Sequence, residues 1–289
     1  MDPLATTENL QRERFAELLN RPGPPDLVEG ALLVAACEYP DLDLDREKSR
    51  ISEIGAEAAR RIAGLANRDN PFARLEVIRS YLFEELGFHG NAGDYEDPRN
   101  SFLNQVMDRR TGIPLTLSII FVETCRAAGF ESRGIALPGH FIARVDLDDR
   151  TILVDPFGGG RVLTQEDCRA LVVRSTGRPS LFRPGVLDGA STVEILTRLL
   201  RNLKRIYLSR EDYRRALAVV EMLQIATSGE PMETRDRGIL MSHLGQVEEA
   251  ISDLESYMRN RPSAPDLESI RGRLDWLRQK SPNPTQNSP

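Results

Sequence analysis

The sequence of 289 residues predicts an α+β fold followed by an all-helical array. Apolar residues recur at helical spacing from Leu4 to Leu86, and again from the loop "STGRPSLFRPGVLDGAS" to Gln279. Between these regions, a single apolar helix precedes the short β-branched runs "RGIAL", "HFIARV" and "TILVD". We therefore expect a helical N-terminal layer, a small antiparallel sheet packed on a central helix, and a helical C-terminal array.

Residues 1–86 form the predicted helical N-terminal part. Its breaks at "NRPGPPD", "EYPDLDLD" and "NRDNPF" supply prolines and N-cap residues, which indicates three or four helices. The next stretch, "GFHGNAGDYEDPRNS", is rich in turn-forming residues and predicts an irregular loop. We expect Asn100 or Ser101 to cap the helix that follows, "FLNQVMDRR".

The central helix is predicted over "TGIPLTLSIIFVETCRAAGF". Pro114 suits its first turn and Gly129 suits the position just past its C-terminus. Apolar residues surround nearly the whole circumference, so this helix should be buried. The polar turn "DLDDR" then joins the last two β-branched runs, which we expect to pair as antiparallel strands.

The loop rich in proline and glycine predicts a boundary between a first domain at 1–185, with its core at 87–185, and helical repeats at 190–280. Within the repeats, "EDYRRALAVVEML" and "GQVEEAISDLESYM" align at a spacing of 34 residues, the tetratricopeptide period. The second copy resembles that repeat at Gly238, Gly245, Ala250, Leu254, Tyr257 and Pro262. The tail at 281–289, "SPNPTQNSP", has nothing apolar to bury and is predicted to be disordered.

Composition excludes several classes of function. With 40% hydrophobic and 28% charged residues and a net charge of -6, the chain is an ordinary globular protein without a broad nucleic-acid surface. Its apolar stretches are too short to span a membrane and its N-terminus lacks a signal peptide, so we expect a cytoplasmic protein without membrane contact. Cys37, Cys125 and Cys168 show no metal-ligand spacing, so we expect reduced thiols and no metal or cofactor.

His140 and Asp155 are the candidate catalytic pair. The predicted hairpin places them within a residue or two of each other across the antiparallel strands. A carboxylate there would fix the imidazole tautomer and stabilise its protonated form, as a general base requires. The alternative is a structural histidine capped by an aspartate at a strand end.

The order of a helix, a strand with His and a strand with "DP" resembles the transglutaminase-like, papain-related core. In that family a cysteine lies at the start of the central helix, and the resemblance matches His140 to the base and Asp155 to the orienting acid. The Arg126, Gly129 and Arg133 pattern that closes the helix puts the cysteine at or beside Pro114. No cysteine is present there, so classical transglutaminase activity is not expected.

The chain resembles one branch more closely, the bacterial SirB-type transglutaminase-like proteins. The matching stretches are "DYEDPRNSFLNQVMDRRTGIPLTLSI", "LPGHF" and "DPFGGG", and the resemblance covers about Leu27 to Leu181. It implies tetratricopeptide repeats behind the core, an absent cysteine and a poorly defined biochemical role.

Other side chains are candidates for the same cleft. Ser118 lies one turn past Pro114 and Thr116 is closer still, so either hydroxyl could approach His140 or instead bond back to the preceding turn. The loop before the central helix offers acid or base partners, or simply helix caps and salt bridges. The candidates that would line the cleft are Asn91, Asp94, Tyr95, Asp97, Arg99, Asn100 and Thr116.

Two further groups carry weaker signals. His89 would join His140 in a metal site only if the fold brought them together. A basic cluster has mostly helical spacing and is interpreted as a solvated helix face, with a groove for an acidic peptide tail as the alternative; its members are Arg198, Arg201, Lys204, Arg205 and Arg210.

Two classes of function remain. In the first, which we expect, the protein is a non-catalytic interaction or regulatory module whose repeats bind a protein or peptide. In the second, it is a hydrolase or acyltransferase that uses His140 and Asp155 with an unconventional hydroxyl nucleophile, or with an activated water.

Overall fold

The computed structural model of the chain describes residues 3–147 and 150–280. The tail predicted to be disordered, 281–289, lies outside the described residues, as do two residues of the "DLDDR" turn. The helices are α1 (Pro3–Asn20), α2 (Leu27–Ala36), α3 (Leu44–Ala63), α4 (Pro71–Arg79), α5 (Leu103–Arg109), α6 (Pro114–Ala127), α7 (Gln165–Thr176), α8 (Thr192–Ser209), α9 (Tyr213–Ala226), α10 (Pro231–His243), α11 (Val247–Asn260) and α12 (Leu267–Lys280). The strands are β1 (His89–Gly90), β2 (Thr111–Gly112), β3 (Glu131–Ile135), β4 (Ile142–Asp146), β5 (Thr151–Asp155) and β6 (Arg161–Leu163).

The chain divides into two compact units. One is Glu17–Leu199, and the other combines the described parts of Met1–Ala16 and Leu200–Pro289. The first unit holds the α+β core and the second holds the helical array, as the predicted fold class requires. The domain limits expected from the sequence are 1–185 and 190–280. They differ from these units in assigning residues 1–16 to the first domain, and they stay predictions.

The N-terminal helices begin where the sequence breaks predict. Asp26, Asp43 and Asn70 are N-cap residues, and their side chains accept hydrogen bonds from backbone N–H groups two or three residues ahead at 2.9–3.3 Å. These bonds satisfy donors that the first helical turn leaves without an intrahelical partner. A π-helical segment at Ser80–Glu85 continues α4.

The central helix α6 is buried as predicted. Pro114 is its first residue, and Gly129 follows its C-terminus with φ +81°. Helix α3 packs closely against its last turn, since a Cβ on Gly55 would lie 2.5 Å from that of Ala127. This packing holds α6 as the core of the first unit.

The antiparallel sheet has the order β3-β4-β5-β6. The predicted pairing of the second and third β-branched runs is confirmed, with Ala143 opposite Val154 and Val145 opposite Ile152. A separate parallel bridge pairs β1 with β2, which the sequence did not indicate. Leu153 and Leu163 pack with Cys168 and Leu171 of α7 in a buried cluster.

The predicted cap of α5 is wrong. Phe102, with an extended backbone, is the N-cap residue, and its side chain has no oxygen that could accept a cap hydrogen bond. Asn100 ends a short 3₁₀ helix, Pro98–Asn100, capped by Asp97. The Asn100 side chain is fully buried and hydrogen-bonds within the preceding loop instead of capping α5.

The helical array confirms the repeat pattern. A Cβ on Gly238 would lie 2.9 Å from the Leu254 side chain, so α10 and α11 need a small residue there. Gly245 adopts φ +77° in the turn between them. The Tyr257 hydroxyl donates to Asp266 at 2.7 Å, which ties α11 to the chain before α12.

The basic face of α8 is exposed at Arg201, Arg205 and Arg210, as expected, whereas the Lys204 side chain is only 14% exposed. Lys204 donates to Glu233 at 2.6 Å and also pairs with Asp236. Arg201 pairs with Glu230 at 3.2 Å. These cations are neutralised within the helical array because α10 carries the matching carboxylates, so they provide no vacant basic groove.

In the part of the chain that the structure describes, no helix is both long and apolar enough to cross a membrane.

Candidate functional site

His140 and Asp155 are in contact, as the hairpin predicts. His140 Nε2 lies 3.0 Å from Asp155 Oδ1, and the two residues are 8% and 7% exposed. Nε2 is thus the ring nitrogen that hydrogen-bonds to the Asp155 carboxylate. Nδ1 is therefore the ring nitrogen that a nucleophile, water or substrate would have to use.

A tight turn in "LPGH" places the imidazole. The His140 N–H donates to the Leu137 carbonyl at 3.1 Å, and Gly139 adopts φ +74°. A Cβ on Gly139 would lie 2.5 Å from that of Ser175, so α7 also leaves no room for a side chain. Glycine is required here for both its conformation and its size.

Arg198 supports the same turn, a role that the sequence did not reveal. Its guanidinium donates to the carbonyl oxygens of Leu137 at 2.7 Å and His140 at 2.6 Å. Burial lowers its pKa. The spacing of leucines in α8 predicts a solvent-exposed position for Arg198. The sequence around Arg198 does not reveal its partner, because His140 lies 58 residues earlier in the chain.

An aromatic row extends from the histidine to the surface. The Phe157 ring meets the His140 ring edge-on at 6.0 Å, and Tyr95 meets Phe157 at 6.2 Å. A Cβ on Gly90 would lie 2.5 Å from the Phe157 ring, so the loop before α5 packs directly on this row. Of the expected cleft residues, Tyr95 is the one that the row connects to His140. Phe157 was not among them, although it follows Asp155 in "DPF".

Asp97 and Arg99 form an ion pair. Asp97 is 4% exposed and accepts from the Arg99 backbone N–H and Nε, both at 3.0 Å. Arg109 lies 3.1 Å from its other oxygen. Burial would raise the Asp97 pKa, but the hydrogen bonds from Arg99 and the charge of Arg109 lower it overall. Asp97 therefore stays ionised at neutral pH and is no general acid.

The amides of the loop are used within it. Asn100 Nδ2 donates to the Asp94 carbonyl at 2.8 Å, and its Oδ1 accepts from Asn91 Nδ2 at 3.2 Å. The Asp94 N–H in turn donates to Asn91 Oδ1 at 3.0 Å. Asn91, Asp94 and Asn100 thus hold the loop in shape.

The first turn of α6 is the place that the family resemblance assigns to a cysteine, and Pro114 begins it. Thr116 Oγ1 donates to the Asn100 carbonyl at 2.8 Å and accepts from the Ile113 N–H at 3.2 Å. This fully buried hydroxyl joins the loop to the helix. Ser118 is also fully buried, and its Oγ makes no hydrogen bond within the described chain.

The buried thiols do not suit nucleophilic attack. Burial raises the pKa of Cys125 far above its ordinary value. Burial, with the charges of Asp167 and Asp155, raises the pKa of Cys168 to about 11. A thiol attacks as the thiolate, which these environments disfavour.

Both ring nitrogens of His89 lie beside groups other than His140. Its Nδ1 lies 2.9 Å from the Gly87 carbonyl oxygen and its Nε2 lies 3.2 Å from Thr111 Oγ1. Over residues 3–147 and 150–280, no group of three or more His, Cys, Asp or Glu side chains is arranged to hold a metal ion.

Comparisons with known proteins support the fold class. Residues 45–201 match the transglutaminase-like superfamily, and residues 203–275 match the tetratricopeptide repeat. A UPF0162 protein of Xylella fastidiosa Temecula1 is 33% identical over 86% of this chain and 88% of its own length. One from Vibrio cholerae is 30% identical over 87% and 92%, and UPF0162 protein YchA of Escherichia coli K12 is 26% identical over 88% and 93%. No solved structure matches.

Proposed function

The chain belongs to the transglutaminase-like superfamily and to the family of UPF0162 proteins, and we propose that it is a non-catalytic protein-interaction or regulatory module. One observation carries this proposal. The first turn of α6 holds Pro114 where a cysteine would act, and the nearby Thr116 hydroxyl is committed to structural hydrogen bonds. A cleft of this type has lost the group that would form the covalent intermediate.

The His140–Asp155 pair has a structural role in this proposal. Its hydrogen bond links the "LPGH" turn to the end of β5, and Arg198 donates to two carbonyls of the same turn. Both partners of the pair are more than 90% buried. Buried polar groups that satisfy one another stabilise a fold without any catalytic step.

The helical array supplies the interaction. Tetratricopeptide repeats are generally protein-binding elements, and we propose that this array binds a helix or peptide of a partner protein. The internal pairing of Lys204 with Glu233 and Asp236 argues against recognition of an acidic tail on that face.

A hydrolase or acyltransferase is the second candidate. Ser118 Oγ makes no hydrogen bond among the described residues, and Nε2 of His140 is the nitrogen bound to Asp155. In this alternative, Nδ1 takes the proton of the Ser118 hydroxyl or of a water as it attacks a carbonyl carbon. The complete burial of Ser118 favours the non-catalytic proposal.

A covalent-probe experiment separates the two. Purified protein is treated with a fluorophosphonate and, separately, with iodoacetamide, and labelled sites are mapped by mass spectrometry. His140→Ala and Asp155→Asn are compared with His89→Ala, a change at an exposed histidine outside the pair. Circular dichroism verifies that every variant is folded.

The proposal predicts no labelled serine, threonine or cysteine whose reaction depends on both His140 and Asp155. Labelling of Ser118, for example, that disappears in both folded variants and persists in His89→Ala would overturn it in favour of the enzyme.

Two finer assignments complete the proposal. The "LPGHF" and "DPFGGG" stretches support membership of the SirB-type branch. The three widely spaced cysteines, which show no disulfide framework, support a cytoplasmic location.

A further inference from the structure

A largely apolar pocket lies on one face of the β5–β6 hairpin. Its volume is about 420 Å³, within the range of roughly 300–1,000 Å³ for ligand pockets. Ile152, Val154 and Val162 form the sheet side, Phe72 and Leu75 belong to α4, and Phe121 comes from α6. We call this cavity the β6 pocket.

The pocket borders an open sheet edge. Among the described strands, β6 pairs with β5 alone. Val162 lies opposite Val154, so its side chain points to the same face, and it is 55% exposed. The neighbouring Arg161 side chain is 60% exposed. An edge strand leaves backbone N–H and C=O groups that can pair with another chain.

Acidic side chains outnumber basic ones where α4 continues into the π-helical segment beside the pocket. Arg79 donates to Glu76 at 2.8 Å and to Glu84 at 2.7 Å, so two carboxylates share one guanidinium. The Glu76 and Glu84 side chains remain 59% and 57% exposed. Hydrogen bonds from Arg79 to Glu76, and from Ser80 and Arg79 to Glu84, lower the pKa of both carboxyls. The cluster of Glu76, Glu84 and Arg79 therefore carries a net negative charge at neutral pH, while Arg150 lies over the Phe72 ring of the same pocket at 5.2 Å.

We propose that β6 accepts an extended segment of a partner protein as an added strand, with a large apolar side chain in the β6 pocket and a basic side chain two residues away beside Glu76. Strand addition obtains its affinity from main-chain hydrogen bonds and its specificity from pockets for alternate side chains. The spacing of two follows because successive side chains of a strand point to opposite faces. This surface belongs to the transglutaminase-like unit and is independent of the repeats and of any activity of His140.

A random octapeptide library displayed on phage tests the proposal. The library is panned on the whole protein, on Val162→Glu and, as a matched control, on Val173→Glu. Val173 is another exposed valine of the same unit, 37% exposed on α7. We expect the wild type and the control to enrich an apolar-x-basic pattern that Val162→Glu does not enrich.

Synthetic peptides from the selection then give affinities by fluorescence anisotropy. Val162→Glu should weaken binding at least tenfold. Glu76→Lys, a change at an exposed helix position that leaves the edge intact, should weaken binding of basic peptides severalfold. N-methylation of the peptide backbone at one alternate set of residues should abolish binding, and N-methylation at the other set should not.

Three results would overturn the proposal. They are a library without enriched peptides, enriched peptides that bind Val162→Glu and wild type equally, and binding that tolerates N-methylation at both sets. The last would indicate an apolar ligand without strand pairing. Backbone amide hydrogen exchange at residues 161–163 should slow when the peptide binds the wild type. This measurement verifies that the peptide binds at β6.

Discussion

The contact between His140 and Asp155 should contribute measurably to the stability of the transglutaminase-like unit. Their side chains are 9% and 10% exposed and their atoms meet at 3.0 Å. Removing either side chain leaves a buried polar or charged partner without its hydrogen bond. Such a loss costs about 2–4 kcal/mol, and it includes the cost of the partner left behind.

A double-mutant cycle isolates the pairwise contribution. We expect His140→Ala and Asp155→Ala each to destabilise the unit by about 2–4 kcal/mol, and the double variant to show a coupling energy of about 1–3 kcal/mol. Packing lost at each site cancels in the cycle. His89→Ala serves as a control and should change stability by less than about 0.5 kcal/mol, since it alters an exposed side chain.

The assay must report on the correct unit. The single tryptophan, Trp276, lies in α12 of the helical array, so its fluorescence does not report on the sheet. Hydrogen exchange of peptides covering β4 and β5, measured by mass spectrometry, gives the opening free energy where the pair acts. Exchange should become about 30- to 700-fold faster in each single variant, at 1.4 kcal/mol per tenfold.

Strictly additive effects, with a coupling below about 0.5 kcal/mol, would refute the structural role of the pair. So would a single variant that is more stable than the wild type. That second result is typical of functional residues, whose arrangement sacrifices stability. It would return weight to the enzyme alternative.

Three further predictions concern the helical array and the thiols. Gly238→Ala should destabilise the array by about 1–2 kcal/mol, because the added Cβ would clash with the Leu254 side chain. Gly272→Ala should stabilise the array by about 0.5–1 kcal/mol, because the added Cβ would meet no atom within 4 Å. Urea unfolding followed by Trp276 fluorescence measures both changes. At pH 8, Cys37 alone should react rapidly with a thiol reagent, with the two buried thiols reacting only after unfolding, as an absorbance titration would show. Hydrogen bonds from Tyr257 and Arg235 lower the pKa of Asp266 in the folded protein. Its contribution to stability is therefore present above the unfolded pKa of about 4 and is lost as the pH falls through the folded pKa. Asp266→Asn should reduce the loss of stability between these two pKa values, and an unchanged pH dependence would contradict the assignment.

Local patterns predicted most of the fold. The apolar circumference of α6, the pairing of β4 with β5 and the 34-residue spacing each depend on neighbours in sequence, and each prediction is confirmed. The cap of α5 was missed because Asn100 resembles a cap locally, yet its amide joins a loop network instead. Capping preference is weak enough for buried tertiary bonds to override it.

The site shows a similar division. The His140–Asp155 contact follows from the hairpin register, but Arg198 and Phe157 required the tertiary structure. A helical arginine between leucines is equally compatible with solvent and with a buried carbonyl pair. Only the position of the distant "LPGH" turn decides between them.

Asp155 also makes contacts in the turn that leads into β6. The carbonyl of Asp155 accepts from the Gly160 N–H at 2.9 Å, which closes the turn into β6. A Cβ on Gly158 would lie 2.8 Å from Asp155 Oδ2, and one on Gly160 would clash with the Phe83 ring. Asp155 therefore connects the His140 turn to the strand that borders the β6 pocket. If strand addition at β6 is the role of this unit, loss of the pair should weaken peptide binding through β6 even though no peptide atom touches His140.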